Sequence, residues 1–223
     1  MAPTLSEGSD TFDKLERVSV FLSDLADFIK ASPTSYHAAA EVGRRLAQAG
    51  FTRLSEQEPW QQTCGNYFVI RDGAVIAWRR PENPKPGFAI VGAHTDSPAL
   101  KLKPNPDTAN VGWQQVAMEV YGNPLLNSFL DRELGLAGRL VTADGKTHLV
   151  QTGPILRIPQ LAIHLDRSAN EALRLDKQRH LVPVLGLASE PVIAHLANCA
   201  SLDPDDIYGH DIFSFPTQDP TTF

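Results

Sequence analysis

FAIVGAHTDSP, residues 88–98, is the stretch from which the fold of this chain is most readily inferred. Its first part, residues 88–91, is apolar on both faces of an extended backbone, which predicts a buried central strand. The turn that follows carries His94 and Asp96 between Gly92 and Pro98. Because ligands and metals gather at the carboxyl ends of strands in α/β sheets, this turn is the first candidate for a functional site.

The residues before this stretch predict two helices and a hairpin. Residues 1–15 are polar and are expected to be irregular, whereas an apolar stripe at helical spacing begins after Arg17 and predicts a helix that ends near Ser32-Pro33. A second helix is expected from Thr34 or Ser35 to Gly50. Residues 67–71 and 74–79 flank Asp72-Gly73, which is a strong signal for a tight hairpin. This half of the chain is therefore α/β in character.

The pattern changes after Pro98. Apolar residues alternate with polar ones around Leu100 and again over residues 116–121, and a second Asp-Gly turn occurs at Asp144-Gly145. The stretch 155–163 is expected to continue the β structure, and only residues 191–200 predict a helix. We therefore place a domain boundary near residue 100, followed by a mostly β unit that extends to about residue 210.

Composition excludes some classes of function. The chain has 223 residues with 20 Lys and Arg against 26 Asp and Glu, a net charge of −6, which argues against a nucleic-acid partner. Cys64 and Cys199 form no CxxC pair and are interpreted as two buried, reduced thiols. No apolar run of about 20 residues or signal peptide is apparent, so no membrane contact and a cytoplasmic location are expected.

His94 and Asp96 are the strongest candidates for chemistry. Residues two apart on an extended chain share a face, so the two side chains can converge. A neutral imidazole is a good zinc ligand, and a neighbouring carboxylate can orient its ring. The alternative, a hydrogen-bonded surface turn, stays open on spacing alone. Ser97 is a poor candidate for a nucleophile, because no nucleophile elbow surrounds it and Pro98 follows directly.

Four segments in collinear order resemble the aspartyl aminopeptidase family. Residues 91–105 are similar to its first metal-binding segment, and residues 32–38 (SPTSYHA) to its N-terminal helix entry. Residues 119–139 contain EVYG and LNSFLDRELGLAGR, and residues 158–165 read IPQLAIHL, both similar to blocks of that family. The resemblance covers nearly all of residues 20–218.

This resemblance implies a two-zinc exopeptidase that removes Asp or Glu from peptide N-termini. It implies an α/β fold: a partial zinc-exopeptidase-type sheet with flanking helices in residues 1–99, an inserted β-rich dimerisation domain in residues 100–210, and a return to the peptidase domain in residues 211–223. His94 would be a zinc ligand and Asp96 its orienting partner. His164 matches a histidine that reaches the active site of a neighbouring subunit, so a homo-oligomer is expected. Without the resemblance, His164 is interpreted as a core or interface histidine.

The chain departs from the family pattern towards its end. The family's bridging carboxylate, its Glu-Glu pair with the general base, and its final metal ligands come from segments that do not occur in these 223 residues. The sequence is therefore expected to stop before the metal site is complete and to expose apolar surface in its first hundred residues. The alternative function is an inactive fragment that acts only as a dimerisation module.

The other polar candidates receive structural interpretations. His37 is expected to cap or pack at the entry of the second helix, and the run 131–133 (DRE) to form a structural ion pair. The remaining histidines have no ligand-like spacing and are interpreted as surface or packing residues: His148, His180, His195 and His210.

Overall fold

The computed structural model describes residues 7–60, 63–83, 85–187 and 190–221. In chain order their elements are α1 (Glu7–Lys30), α2 (Ser35–Gln48), β1 (Thr52–Arg53), β2 (Gly65–Arg71), β3 (Ala74–Arg80), β4 (Ala99–Asn110), β5 (Trp113–Tyr121), β6 (Leu134–Thr142), β7 (Thr147–Gln151), β8 (Val184–Gly186), α3 (Val192–Cys199) and β9 (Ile207–Pro216). Short 3₁₀ turns span Leu126–Phe129 and Pro204–Asp206.

The first helix is longer than the sequence predicts. It begins at Glu7, so residues 7–15 are helical rather than irregular, whereas residues 1–6 lie outside the described part of the chain. It ends at Lys30, just before Ser32-Pro33, as predicted. The apolar stripe of α1 remains in contact with solvent, since its large side chains are 40% to 66% exposed: Val18, Val20, Phe21, Leu22, Leu25 and Ile29.

The second helix packs closely on the hairpin. Thr34 precedes its first turn, and its hydroxyl lies 2.9 Å from Nδ1 of His37, whose pKa is lowered by burial. His37 therefore packs at the helix entry, as predicted. Gly43 allows the close approach of α2 to β2, because a Cβ atom there would lie 2.5 Å from a methyl carbon of Ile70. Gly50, at φ 81°, follows the helix end.

The hairpin prediction is confirmed. Strands β2 and β3 pair antiparallel up to Arg71 and Ala74, and Asp72 turns the chain at φ 51°. The short strand β1 adds to β2 in parallel and completes a three-stranded sheet in the order β1-β2-β3.

The prediction of a buried central strand at residues 88–91 is wrong for this structure. The segment belongs to no strand, and its side chains are almost fully in water, with Phe88 95%, Ile90 86% and Val91 98% exposed. An apolar strand is buried only when other strands pair with its edges and helices cover its faces. The described residues provide no strand beside this segment and no cover for it.

A six-stranded sheet, ordered β7-β6-β9-β4-β5-β8, forms the larger part of the molecule. The predicted alternation is confirmed, since Leu100 and Leu102 pair with Val120 and Met118 across β4 and β5. The register shifts between Leu102 and Asp107. Two prolines in this bulge, at positions 104 and 106, lack the N–H needed to continue the ladder.

The main core lies against this sheet. The second Asp-Gly turn joins β6 to β7 as predicted, and α3 confirms the helix expected at residues 191–200. The side chains with at most 1% exposure include Leu100, Val116, Leu134, Leu136, Leu140, Ile158, Leu181, Leu196 and Ile212. Burying about ten such side chains is the main stabilising contribution of this half of the chain.

A polar cluster fixes the hairpin turn to the large sheet. Arg139 on β6 donates to Asp72 at 2.6 Å and stacks 4.6 Å above the ring of Tyr36. The Tyr36 hydroxyl hydrogen-bonds Asp211 on β9, which also pairs with Lys101 at 2.8 Å. Burial, followed by this bond to a carboxylate, raises the pKa of Tyr36 to about 12. The turn at residues 72–73 is thereby held in place beside the loop that carries His94.

Two further expectations need correction. The β structure predicted for residues 155–163 ends at Ile158, which is buried and bridged to Leu130. Leu161 and Ile163 lie outside any strand and are 64% and 44% exposed. Cys64 and Cys199 are free but exposed rather than buried. Cys64 precedes β2 and Cys199 ends α3, and neither position faces the core.

Among the described helices, none has the length and apolar character needed to cross a membrane. The division into domains at residues 99 and 210 stays a prediction.

Candidate metal centre

The loop of residues 92–98 connects the exposed apolar segment to β4. The Thr95 hydroxyl donates to the carbonyl of Gly73 at 2.6 Å, which ties the loop to the hairpin turn. At the other end of the loop, Pro98 packs against Gly122, where an added Cβ would lie 3.1 Å from the proline Cα. Gly122 also has φ 73°, a conformation that favours glycine. The loop is thus anchored at both sheets.

The two predicted residues of this loop converge. Nδ1 of His94 lies 2.9 Å from Oδ1 of Asp96, and the Tyr121 hydroxyl donates to Oδ2 of Asp96 at 2.8 Å. An ionised carboxylate only accepts hydrogen bonds, so Nδ1 of His94 carries the proton and Nε2 holds the free lone pair. The His94 side chain is 90% exposed, which leaves Nε2 open to an incoming ion.

The carboxylate of Asp96 is stabilised in its charged form. Hydrogen bonds from His94 and then from Tyr121 hold its pKa below the usual value. The hydrogen bond to Asp96 also raises the pKa of Tyr121, because loss of the phenol proton would place two negative charges side by side. Asp96 is therefore an anion that can fix the orientation of the imidazole.

Tyr121 is a candidate site residue that sequence reasoning missed. It ends β5, pairs with Ala99 in the ladder, and its ring packs edge-on against Phe213 at 5.2 Å between centroids. The alternation of β5 predicts only that the Tyr121 side chain lies on the face opposite Met118, and it does not indicate Asp96 as a neighbour. That neighbour follows only from the antiparallel pairing of β5 with β4, which brings Tyr121 beside the loop.

A small cleft lies beside the same loop. It has a volume of about 220 Å³, and its wall includes Asp96, Tyr121, Arg132 and Ser35. The arginine adds a cationic group to the wall of the cleft that also contains Asp96. The neighbouring Asp131 does form the expected structural ion pair, with Arg157 at 3.8 Å.

His164 lies apart from this pair. It sits in a turn between the exposed side chains of Ile163 and Leu165, and within the described part of the chain no hydrogen bond or ion pair links it to His94 or Asp96. The structure thus brings together two of the three predicted site residues. The role of His164 stays a prediction.

The donors present fit one zinc-ligand position. His94 offers an exposed Nε2 on a ring oriented by a carboxylate, the arrangement usual for metal-binding histidines. Structural and catalytic zinc sites use three or four protein ligands. Among the residues that the structure describes, no group of three or more His, Cys, Asp or Glu is placed to hold a metal ion. The described residues therefore fit only one ligand position of a zinc site.

Solved structures define the class of protein. A structure of the Ape4 and Nbr1 complex superposes with a TM-score of 0.82 at 34% identity, covering 89% of this chain and 44% of that one. The S. cerevisiae mApe1 dodecamer superposes with a TM-score of 0.75 at 26% identity, covering 89% and 48%. The fold is that of a partial zinc-exopeptidase-type α/β protein.

A family model described as aminopeptidase I zinc metalloprotease (M18) matches residues 28–206. A probable M18 family aminopeptidase 2 from Streptomyces coelicolor is 50% identical over 205 residues, which is 88% of this chain and 48% of the relative. Its counterpart from Mycobacterium leprae is 42% identical over 203 residues, 86% of this chain and 47% of the relative. This chain belongs to the M18 aminopeptidase family, and it spans about half the length of the curated relatives that it matches.

Proposed function

We propose that this chain contributes the first zinc ligand and its orienting carboxylate to a cytoplasmic, zinc-dependent aminopeptidase that removes Asp or Glu from peptide N-termini. The observation that carries the proposal is the His94–Asp96 contact of 2.9 Å, with Nε2 of His94 turned to solvent. Membership of the M18 family supports the reaction class.

In this proposal each residue has a defined task. His94 binds zinc through Nε2, and Asp96 holds the ring so that the lone pair faces the ion. Tyr121 keeps the carboxylate in place through its hydrogen bond of 2.8 Å. When bound, zinc supplies Lewis-acid chemistry towards the scissile carbonyl. The further ligands of the two-zinc centre and the general base come from a polypeptide segment other than the described residues.

His164 is proposed to act in a neighbouring subunit. Its turn is flanked by exposed apolar side chains, with Leu161 64% and Leu165 75% exposed, as expected for a segment that packs against another protomer. The S. cerevisiae relative forms a dodecamer, which supports an assembly of this kind. Residues 100–210 would form the dimerisation domain of that homo-oligomer.

A complementation assay tests the catalytic proposal. The 223-residue chain is mixed with zinc and with the part of the Streptomyces coelicolor relative that lies outside the match. We expect turnover of an aspartyl peptide faster than of a leucyl peptide, and loss of that turnover in His94→Gln. Turnover that survives His94→Gln would overturn the assignment of the ligand. The control is His148→Gln, a matched histidine substitution on β7, outside the loop, which should leave turnover unchanged.

The alternative is a non-enzymatic dimerisation module. It is favoured by the exposed apolar side chains of residues 161–165 and by the complete core of the six-stranded sheet. A stable homodimer together with no turnover in the complementation assay would support this function. Turnover of the aspartyl peptide in that assay would reject it.

A further inference from the structure

A second cluster of polar side chains lies well separated in sequence from the His94 loop. It consists of Glu190, His195 and Cys199. Nδ1 of His195 lies 2.8 Å from Oε1 of Glu190, and Nε2 of the same ring lies 3.8 Å from Sγ of Cys199. The other oxygen of Glu190 accepts a hydrogen bond from Asn198 at 3.0 Å. The carboxylate is thus fixed at both oxygens, and it fixes the imidazole in turn.

In this arrangement His195 can act as a base towards the thiol of Cys199. Because a carboxylate only accepts hydrogen bonds, Nδ1 of His195 carries a proton and Nε2 is free to take one from Cys199. Glu190 accepts the hydrogen bond from Nδ1 of that ring at 2.8 Å, which keeps Nε2 directed at the thiol. From these contacts we infer that Cys199 is a base-assisted nucleophilic thiol, a modification site that forms mixed disulfides with small apolar disulfides. This inference is independent of the proposed aminopeptidase activity.

The helix itself does not activate this thiol. Cys199 is the last residue of α3, and the carbonyl groups at a helix C-terminus disfavour a nearby negative charge. His195, one turn earlier on the same helix, is therefore the group that must offset this effect. Removing the imidazole should leave Cys199 less reactive than an ordinary exposed thiol.

The surroundings select the class of reagent. Glu190 and His195 line a mostly apolar cavity of about 1170 Å³, whose wall also includes Trp113 and Val192. Cys199 is not part of this wall and lies one turn of α3 beyond His195, so an apolar aromatic disulfide held in the cavity reaches the thiol from the side of His195. The negative charge of Glu190 disfavours anionic reagents. Cys199 and His195 are both accessible, since Cys199 is exposed and the His195 side chain is 33% exposed.

The reaction balances without a further oxidant. His195 takes the thiol proton, and the thiolate of Cys199 attacks one sulfur of the reagent disulfide. The S–S bond of the reagent breaks while a new S–S bond forms to Cys199. The second half of the reagent leaves as a thiolate, so that Cys199 is oxidised and the leaving sulfur is reduced. The proton remains on His195 until solvent or the leaving group removes it.

Cys64 provides a matched control within the same chain. It is also free and exposed, and its thiol has no histidine partner in the described residues. The single-thiol variants Cys64→Ser and Cys199→Ser are treated at neutral pH with 2,2′-dithiodipyridine, an uncharged aromatic disulfide that releases a coloured thione. We expect Cys199 to react roughly fivefold faster than Cys64, and the two rates to become equal in urea.

Two further variants decide the mechanism. In the Cys64→Ser background, His195→Gln should lower the rate of Cys199 to that of Cys64 or below, and Glu190→Gln should lower it by about twofold. Glu190 lies outside α3, so this second variant tests the idea even where His195→Gln disturbs the helix, which circular dichroism would reveal. Equal rates for the two thiols in the folded protein would overturn the inference, as would a Cys199 rate that neither variant changes.

Discussion

The Tyr121 hydroxyl donates to Oδ2 of Asp96 over 2.8 Å, while Oδ1 of the same carboxylate lies 2.9 Å from Nδ1 of His94. One carboxylate thus connects the end of β5 to the candidate metal ligand. The arrangement presents Nε2 of His94 as the lone-pair nitrogen, because the Nδ1 proton is held by Asp96.

The first prediction concerns the tautomer of His94. Removing the carboxylate with Asp96→Ala should shift the neutral ring from the Nδ1–H form towards the Nε2–H form, since nothing then holds the Nδ1 proton. Long-range ¹H–¹⁵N correlation spectra above about pH 8, where imidazole is neutral, report the tautomer. The control Tyr121→Phe removes only the outer hydrogen bond and should keep the Nδ1–H form. An unchanged spectrum in Asp96→Ala would reject the orienting role.

A second prediction concerns the exposed segment 88–93. Its backbone makes no ladder, so its amide hydrogens should exchange with deuterium rapidly in the isolated chain. Addition of the part of the Streptomyces coelicolor relative outside the match should protect them, because an apolar strand of this kind requires pairing on both edges. Hydrogen-exchange mass spectrometry of the peptides that cover this segment measures the change.

A matched pair of valines tests the specificity of this docking. Val91 and Val111 are 98% and 91% exposed, so an aspartate at either position should lower the free energy of unfolding by less than about 0.5 kcal/mol. Val111 has φ 50°, a conformation that aspartate adopts more readily than a β-branched side chain. We expect Val91→Asp to abolish binding of the added polypeptide and Val111→Asp to leave it intact. Equal binding by both variants would show that the segment is not the docking strand.

The third prediction is that the free energy of unfolding depends on pH through the ionisation of Glu41. Arg44 donates to it twice at 2.6 Å and Arg45 once at 2.7 Å, which lowers its pKa from 4.5 to about 2. Because the folded-state pKa is the lower one, the stabilisation is complete above the unfolded-state value and is lost as the pH falls towards about 2. The contribution of Glu41 to stability therefore changes only at acidic pH.

Glu41→Gln should accordingly reduce the free energy of unfolding by roughly 1 kcal/mol at neutral pH, a modest value because the arginine partners are partly exposed. The difference from the parent chain should shrink between pH 4.5 and pH 2. Urea denaturation at neutral pH and at several acidic values measures it. A difference that is constant down to the lowest pH would mean that the charge of Glu41 is not the source.

The fourth prediction concerns the close contact of β6 with β9. A Cβ atom at Gly138 would lie 2.1 Å from the carbonyl oxygen of Asp211, a backbone atom that cannot move without breaking the pairing. Gly138→Ala should therefore destabilise the chain by about 2 to 3 kcal/mol. Gly153→Ala is the control, since a Cβ atom at that position would meet nothing within 4 Å, and it should cost less than about 0.5 kcal/mol. Equal stability of the two variants in urea denaturation would contradict this account of the contact.

Local signals in the sequence predicted the elements whose neighbours lie close along the chain. The Asp72-Gly73 and Asp144-Gly145 turns, the alternation around Leu100 and the helix at residues 191–200 are all confirmed, because each depends on short-range backbone preference or on one buried face. The His94–Asp96 contact was also predictable, since residues two apart can share a face.

Features that depend on distant partners were not predictable in this way. The apolar character of residues 88–91 indicates a strand, but pairing and cover must come from elsewhere, and the described residues lack them. The link from Tyr121 to Asp96 requires the register of a sheet to be known in three dimensions. The contact of His195 with Cys199, in contrast, joins residues four apart on the predicted helix and follows from that spacing. The burial predicted for the two cysteines failed because composition does not reveal which face of an element a thiol occupies.

The central claim is that His94 is a zinc ligand through Nε2, and a zinc titration followed by NMR tests it most directly. The chain contains seven histidines, and a Cys199→Ser background removes the one thiol that lies beside an imidazole in the described residues. We predict that the Nε2 resonance of His94 shifts at lower zinc concentration than those of the other six, and that this first event disappears in His94→Gln. Zinc binding that begins at another histidine, or at Nδ1 of His94, would contradict the assignment.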